Sequence, residues 1–393
     1  MNFFFKQMIK ILSSKWTILI PKKKKFLIYD GKSTFTLYKI VNKSECEILH
    51  TRYEKINFYI ILLTFIRSGF RNFKFQYLIN FIKFVSPEFV ITSIDNDTSF
   101  YKLKNIYPNP RYISIQNGMR ASQVHYNLFE NNSNFTDSFN VDHLFVFGEG
   151  IKKKILKNFK FNIIVAGSVL NNHYVHDYDQ NKKNNSVLFI SQWRGSFDND
   201  TKKKYKSIEK NKIFPENEKI VFNILYNFCK KKKLELSILP KKTVLEKYYR
   251  KYLVSGNWKY INKNIYNREE MTASSYLCIN KFNMIVFLYS TLGYEALSRG
   301  IKCACFPYGC LDDDWVKKNQ LLPAIPFGYP DDYENVGPFW SNMRNDQIIE
   351  KTLEKVFGYS NEEWTDIIKD KFVTNTMHYD PGNSIINQII NKN

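Results

Sequence analysis

Short apolar runs alternate along this chain with stretches whose apolar residues recur every three or four positions, and the alternation appears in both halves. An apolar run, an amphipathic helix and another apolar run make the pattern of a parallel sheet covered on both faces. In the first half, Lys25–Tyr29, Phe89–Ser93, Tyr112–Gln116, Leu144–Phe147 and Asn162–Ala166 predict strands. Tyr53–Ile66, Phe70–Val85, Ser99–Asn105 and Ile151–Asn158 predict helices, with Pro87 stopping the second. In the second half, strands are predicted at Ser186–Ser191, Leu234–Leu239, Ser275–Asn280, Met284–Tyr289 and Lys302–Phe306. Helices are predicted at Asn217–Lys231, Val244–Tyr252, Thr291–Arg299, Asn345–Phe357 and Glu362–Asp370. Ile220, Ile224, Leu225 and Phe228 supply the apolar face of the first, and Gly300 ends the third.

Between the halves runs a polar stretch, Asn171 to Asn185, the best linker candidate in the chain. At 393 residues the sequence is too long for one ordinary core, and 44 % hydrophobic residues supply material for two. The expected fold is α/β: two Rossmann-like domains facing across a cleft, at 1–175 and 176–393, with the final helices closing the second.

The formal charge of +21 favours polyanions: anionic lipid headgroups, phosphorylated substrates or nucleic acid. Abundant Lys, Asn, Ile, Phe and Tyr also fit codon bias expressed on a solvated surface. No nucleic-acid module is recognisable, so no nucleic-acid partner is expected. The six cysteines form no CxxC pair, which suits reduced thiols in a cytoplasmic protein. Lysines interrupt Met1–Pro21, so no segment reads as membrane-spanning. Its aromatic and aliphatic residues, followed by the basic run Lys22–Lys25, allow either a packed helix or peripheral docking at an anionic membrane.

Ligands of open α/β sheets bind beyond the carboxyl ends of strands. Phe287 to Gly300 reads as a strand running into Ser290-Thr291 and at once into a helix. The exposed N–H groups and hydroxyls there suit a diphosphate, and Glu295 could accept from a ribose diol. Ser290 or Thr291 could equally cap the helix, with Glu295 supporting the cap. Leu188 to Arg194 ends a strand in Gln192, Trp193 and Arg194, where a guanidinium fork suits phosphate or simply lies at the surface. Leu234 to Lys242 ends another in Lys241 and Lys242.

In the first half, Asp95, Asn96 and Asp97 follow one strand, and Gln116, Asn117 and Gly118 follow the next. Asp95 is the candidate general base, with a helix cap as the alternative reading. Gly118 would let the backbone approach a ligand. His125 follows that loop and could face the cleft. The other histidines lack the spacing of a metal site, and Asp312 to Asp314 read as a solvated acidic loop.

The stretches ITSIDNDTSFYKL, RYISIQNGMR, HLFVFGEGIKKKI, IIVAGSVLNNHY, VLFISQWR and FLYSTLGYEALSRGIKCACFP resemble, in that order, the bacterial surface carbohydrate biosynthesis proteins, a GT-B-like glycosyltransferase group. The last stretch is also similar to the donor segment of CDP-glycerol glycerophosphotransferases. The resemblance implies a nucleotide-activated sugar held by the second domain and a lipid-linked or polysaccharide acceptor held by the first. It implies no metal, and no cofactor beyond the donor itself. By position, Ser290, Thr291, Gly293 and Glu295 would meet the donor's phosphate and ribose. Gln192, Arg194 and Lys241 would neutralise the diphosphate, while Asn96, Gln116, Asn117 and Gly118 would face the acceptor. Asp95 or His125 would serve as catalytic base. The glycerophosphotransferases carry a histidine where Asn117 stands here, and His-Pro where Lys241-Lys242 stands. Sugar transfer therefore fits better than polyol-phosphate transfer, with a non-catalytic carbohydrate-binding protein as the remaining alternative.

Overall fold

A computed structural model describes residues 13–69, 72–119, 139–156, 159, 161–174, 183–193, 216–241, 246–262, 268–307, 327–328 and 333–391. The first part contains strands β1 (Lys15–Thr17), β2 (Phe26–Tyr29), β3 (Cys46–Leu49), β4 (Lys55–Asn57), β5 (Phe89–Thr92), β6 (Arg111–Ile115), β7 (His143–Val146) and β8 (Asn162–Val165). Its helices are α1 (Thr34–Leu37), α2 (Phe58–Ser68), α3 (Phe73–Val85), α4 (Thr98–Ile106), α5 (Glu149–Leu156) and α6 (Val169–His173). Six strands form one parallel sheet in the order β3-β2-β5-β6-β7-β8, and β1 pairs with β4 beside it.

Successive strand residues face opposite sides of this sheet. Leu27, Tyr29 and Val90 join one core with residues of α2, α3 and α4, while Phe26, Ile28, Phe89 and Ile91 join a second. Both layers are needed because the central strands are buried on both faces.

The second part contains β9 (Lys183–Ile190), β10 (Glu235–Leu239), β11 (Lys259–Tyr260), β12 (Phe282–Phe287) and β13 (Lys302–Cys305). These form a parallel sheet in the order β11-β10-β9-β12-β13. The helices are α7 (Glu216–Lys232), α8 (Glu246–Tyr252), α9 (Arg268–Ile279), α10 (Thr291–Ser298), α11 (Asp346–Gly358), α12 (Asn361–Lys369), α13 (Lys371–Thr376) and α14 (Ser384–Ile390). Two parallel sheets, each wrapped by helices, give two Rossmann-like domains.

Two expectations are corrected. Ser275–Asn280 is not a strand but the end of α9: Tyr276 and Ile279 are buried three residues apart while Leu277 between them is 59 % exposed, a helical period. The buried face of α7 is rotated from the expected one and carries Glu218, Val221, Phe222, Leu225 and Phe228, with Ile220 and Ile224 only partly covered. The helices expected at Asn345–Phe357 and Glu362–Asp370 pack on the second core through Ile349, Leu353, Val356 and Trp364, and the chain then goes on to a further helix, α14. Val373 and Met377 still belong to the second core, but Ile386 and Ile390 bury against β2 and β5 of the first sheet. The chain thus returns at His378, whose N–H donates to Phe147 O at 2.7 Å. Asn172 fastens the returning segment by accepting from Asp380 N–H at 3.0 Å and donating to Asn383 Oδ1 at 3.2 Å.

Candidate active site

A cavity of about 600 Å³ lies between the two sheets. Every strand that reaches its wall does so by its carboxyl end. Gln116 and Asn117 follow β6, Ser168 and Val169 follow β8, Gln192 follows β9, Lys241 follows β10, and Ser290 and Thr291 follow β12. Placement at strand ends is where this fold binds ligands.

On the second-domain side, α10 begins at the wall. Ser290 holds extended backbone (φ −75°, ψ 129°) as its N-cap, and its hydroxyl makes no capping bond. Capping therefore does not account for that hydroxyl. The first turn of the helix presents backbone N–H groups and the positive end of its dipole toward the cavity. Thr291 Oγ1 accepts from Met119 N–H at 3.3 Å, joining the two domains at the rim. Gly293 is off the wall: a Cβ there would lie 2.2 Å from the Phe287 ring, so its job is close packing of helix on strand.

Lys241 Nζ donates to Gln192 Oε1 at 2.7 Å, which sets the ammonium at the ends of β9 and β10. Beneath them sits Glu218, fully buried on α7. It accepts from Gln192 N–H at 2.5 Å and Ser191 Oγ at 2.7 Å, while Tyr249 and Ser191 hydroxyls lie 3.1 Å apart. Burial pushes Glu218 up to about 7, against the hydrogen bonds of Ser191 and Gln192 and the Lys241 charge. Sequence reasoning missed this residue. Its signal was a carboxylate three, four and seven positions before Val221, Phe222 and Leu225, on a core-facing stripe.

Glu295 lines the cavity with both carboxylate oxygens already held by protein groups. Oε1 accepts from Ser168 Oγ of the first domain at 2.6 Å, and Oε2 accepts from Tyr276 Oη at 2.8 Å. Burial pushes its carboxyl up to about 7, opposed by those two hydrogen bonds and by Arg299. Arg299 extends the same junction, donating through Nε to Asn171 Oδ1 at 2.6 Å and through Nη2 to Asn171 O at 2.8 Å. Asn171 Nδ2 in turn donates to Ser298 Oγ at 3.0 Å. The back of the cavity is a buried polar seam between domains.

On the first-domain side, the Gln116 amide is spent on its own loop. Nε2 donates to Gly118 O at 3.0 Å, and Oε1 accepts from Phe147 N–H at 2.9 Å. Asn117 is exposed on the wall, and a Cβ on the neighbouring Gly118 would lie 4.0 Å from Thr291 Oγ1 of the other domain. Asp95 and Asn96 do not line this cavity. Asp95 is buried in the turn before α4, where its carbonyl accepts from Tyr101 Oη at 2.8 Å. Asp97 is the helix cap, accepting from Ser99 N–H at 2.9 Å. The cavity thus unites Gln116, Asn117, Gln192, Lys241, Ser290, Thr291 and Glu295. His125 and Arg194 lie outside the described residues.

A family profile described as "putative O-antigen biosynthesis protein" matches residues 113–393. No curated protein sequence matches the chain. Among solved structures, UDP-GlcNAc 2-epimerase from Neisseria meningitidis superposes with a TM-score of 0.53 at 13 % identity, covering 94 % of this chain and 99 % of that one. The epimerase from Methanocaldococcus jannaschii gives 0.51 at 11 %, covering 93 % and 98 %. The wall teichoic acid polymerase TagF gives 0.47 at 13 %, covering 94 % and 89 %, too loose a likeness to bear on function. The epimerase superpositions place the fold in the GT-B-like class, two Rossmann-like domains across a cleft.

Proposed function

The chain belongs to the O-antigen biosynthesis family, and from that premise we propose that it is a glycosyltransferase, moving a sugar from a nucleotide-activated donor to a cell-surface polysaccharide or its lipid-linked precursor. The observation that carries the reading is the convergence of Ser290, Thr291 and the start of α10 with Lys241 on one interdomain wall, opposite the β6 loop of the other domain.

In this reading the donor diphosphate lies against the start of α10, where N–H groups, the Ser290 hydroxyl and the helix dipole favour an anion. Lys241 adds a cation beside it. As the bond from the anomeric carbon to the phosphate oxygen breaks, negative charge grows on the departing nucleoside diphosphate, and these groups stabilise it more than they stabilise the bound donor. An acceptor hydroxyl on the Asn117 side attacks the same carbon and gives up its proton to the departing diphosphate, and apposed domains keep water from competing. Glu218 acts one layer down: by holding Ser191 and Gln192 it fixes the platform on which Lys241 rests.

The test is calorimetric titration with UDP, GDP, CDP, CMP and dTDP, using wild type and Lys241→Met. One nucleoside diphosphate is expected to bind selectively, with affinity about tenfold or more weaker in the variant because a charge-assisted contact is lost. Selective binding of CDP would turn the reading toward polyol-phosphate transfer. Failure of every nucleotide to bind would remove it.

A further inference from the structure

The outer face of α2 breaks the usual rule for a surface helix. Its sequence, Phe58 to Ser68, carries one charged residue, Arg67. One side packs inward through Ile60 and Thr64, and Asn80 of α3 donates to Thr64 Oγ1 at 3.1 Å. The other side presents Phe58, Tyr59, Leu62, Phe65 and Ile66 to solvent, Ile66 at 72 % exposure. A helix apolar all round belongs in a core or in lipid.

The same surface continues next door. In the pairing of β1 with β4, Trp16 sits opposite Ile56, and Asn57 Nδ2 donates to Leu19 O at 2.7 Å, tying residues 18–20 to the start of α2. Ile18 and Leu19 are 78 % and 75 % exposed. Leu19 and Ile20 share a groove of about 220 Å³ with Lys22 and Lys55, and Lys15, Lys22, Lys23 and Lys55 are all exposed. Apolar side chains beside a cluster of cations match the two layers of an anionic bilayer surface: acyl boundary and phosphate headgroups.

We infer that the face built from Trp16–Ile20 and the outer side of α2 docks on an anionic lipid surface, with α2 lying in the interface plane. At 11 residues the helix is too short to cross a bilayer, and no helix among the described residues is long and apolar enough to do so. Of the membrane contact expected in Met1–Pro21, residues 1–12 lie outside the described residues, while residues 16–20 belong to this face, which extends onto α2. It needs no donor chemistry, so its failure would leave the nucleotide reading untouched, and the reverse holds too.

The test is co-sedimentation of the full chain with vesicles of phosphatidylcholine containing about 25 % phosphatidylglycerol, against phosphatidylcholine alone. Wild type is expected to bind the anionic vesicles and to be released by salt. Leu62→Ser/Phe65→Ser/Ile66→Ser is expected to lower partitioning at least about tenfold at an unchanged melting temperature, since the side chains are already in water. Lys22→Glu/Lys23→Glu, which leaves the apolar face intact, is expected to lower anionic binding selectively and serves if the triple variant misfolds. Equal sedimentation of wild type and the lysine variant overturns the inference. So does a wild-type dimer in analytical ultracentrifugation that the triple variant dissociates without any vesicle binding, which would make the occupant a second copy of the chain.

Discussion

Glu295 is 4 % exposed and its carboxyl is held near 7, far above the ordinary 4.5 for glutamate. The unfolded chain returns it to water and to the ordinary value. Between these two values the folded state binds the extra proton, so stability falls as pH rises and levels off above about 7. At about 1.4 kcal/mol per tenfold change in proton affinity, the full loss attached to this one group is about 3 kcal/mol. Glu295→Gln keeps the shape and an oxygen for Ser168 while removing the ionisation. The assay is urea unfolding followed by tryptophan fluorescence, run in parallel on wild type and variant from pH 4.5 to 8.5. Subtracting one profile from the other cancels every shared titration, Glu218 included. The difference is expected to favour the variant progressively with rising pH, approaching about 3 kcal/mol at the upper end. Parallel profiles would refute the reasoning, because they would mean the carboxylate is solvated in the folded protein and the interdomain seam is not closed around it.

Two further perturbations probe the geometry around the cavity. Gly293→Ala places a methyl group 2.2 Å from the Phe287 ring, and is expected to cost about 1–3 kcal/mol of stability by urea titration, as overpacking does. Asn171→Ala removes the Oδ1 acceptor of the buried Arg299 Nε, and is expected to cost about 1.5–3 kcal/mol in the same measurement, with a larger loss than Asn117→Ala on the exposed wall.

The central strands were legible because burial on both faces makes them plain apolar runs: β2, β5, β6, β9 and β12 fall where the sequence places them to within a few residues. The pairs that escaped notice are peripheral. β3 mixes Cys46 and Glu47 with apolar residues, and β1 and β4 span three residues each, so neither burial nor alternation marks them. α9 was misread because Ser275–Asn280 is too short a window to separate a period of two from one of 3.6. At the site, the second-domain wall of the cavity was legible as hydroxyls at a strand-to-helix switch. The polar seam was not, because Ser168 and Asn171 at the start of α6, Tyr276 on α9 and Arg299 at the end of α10 lie on three separate elements, and only the packing of two domains brings them together.

The chain passes between domains twice, once between Tyr174 and Lys183 and again at Met377–His378. A body tied to another by two tethers keeps one easy rotation, about the line through the ties, and loses the swivels that a single tether would leave open. Two ties therefore restrict how one domain can turn on the other more than a single linker would. The place of Thr291 beside Met119, and with it the registry of the two cavity walls, then follows from how the backbone is routed.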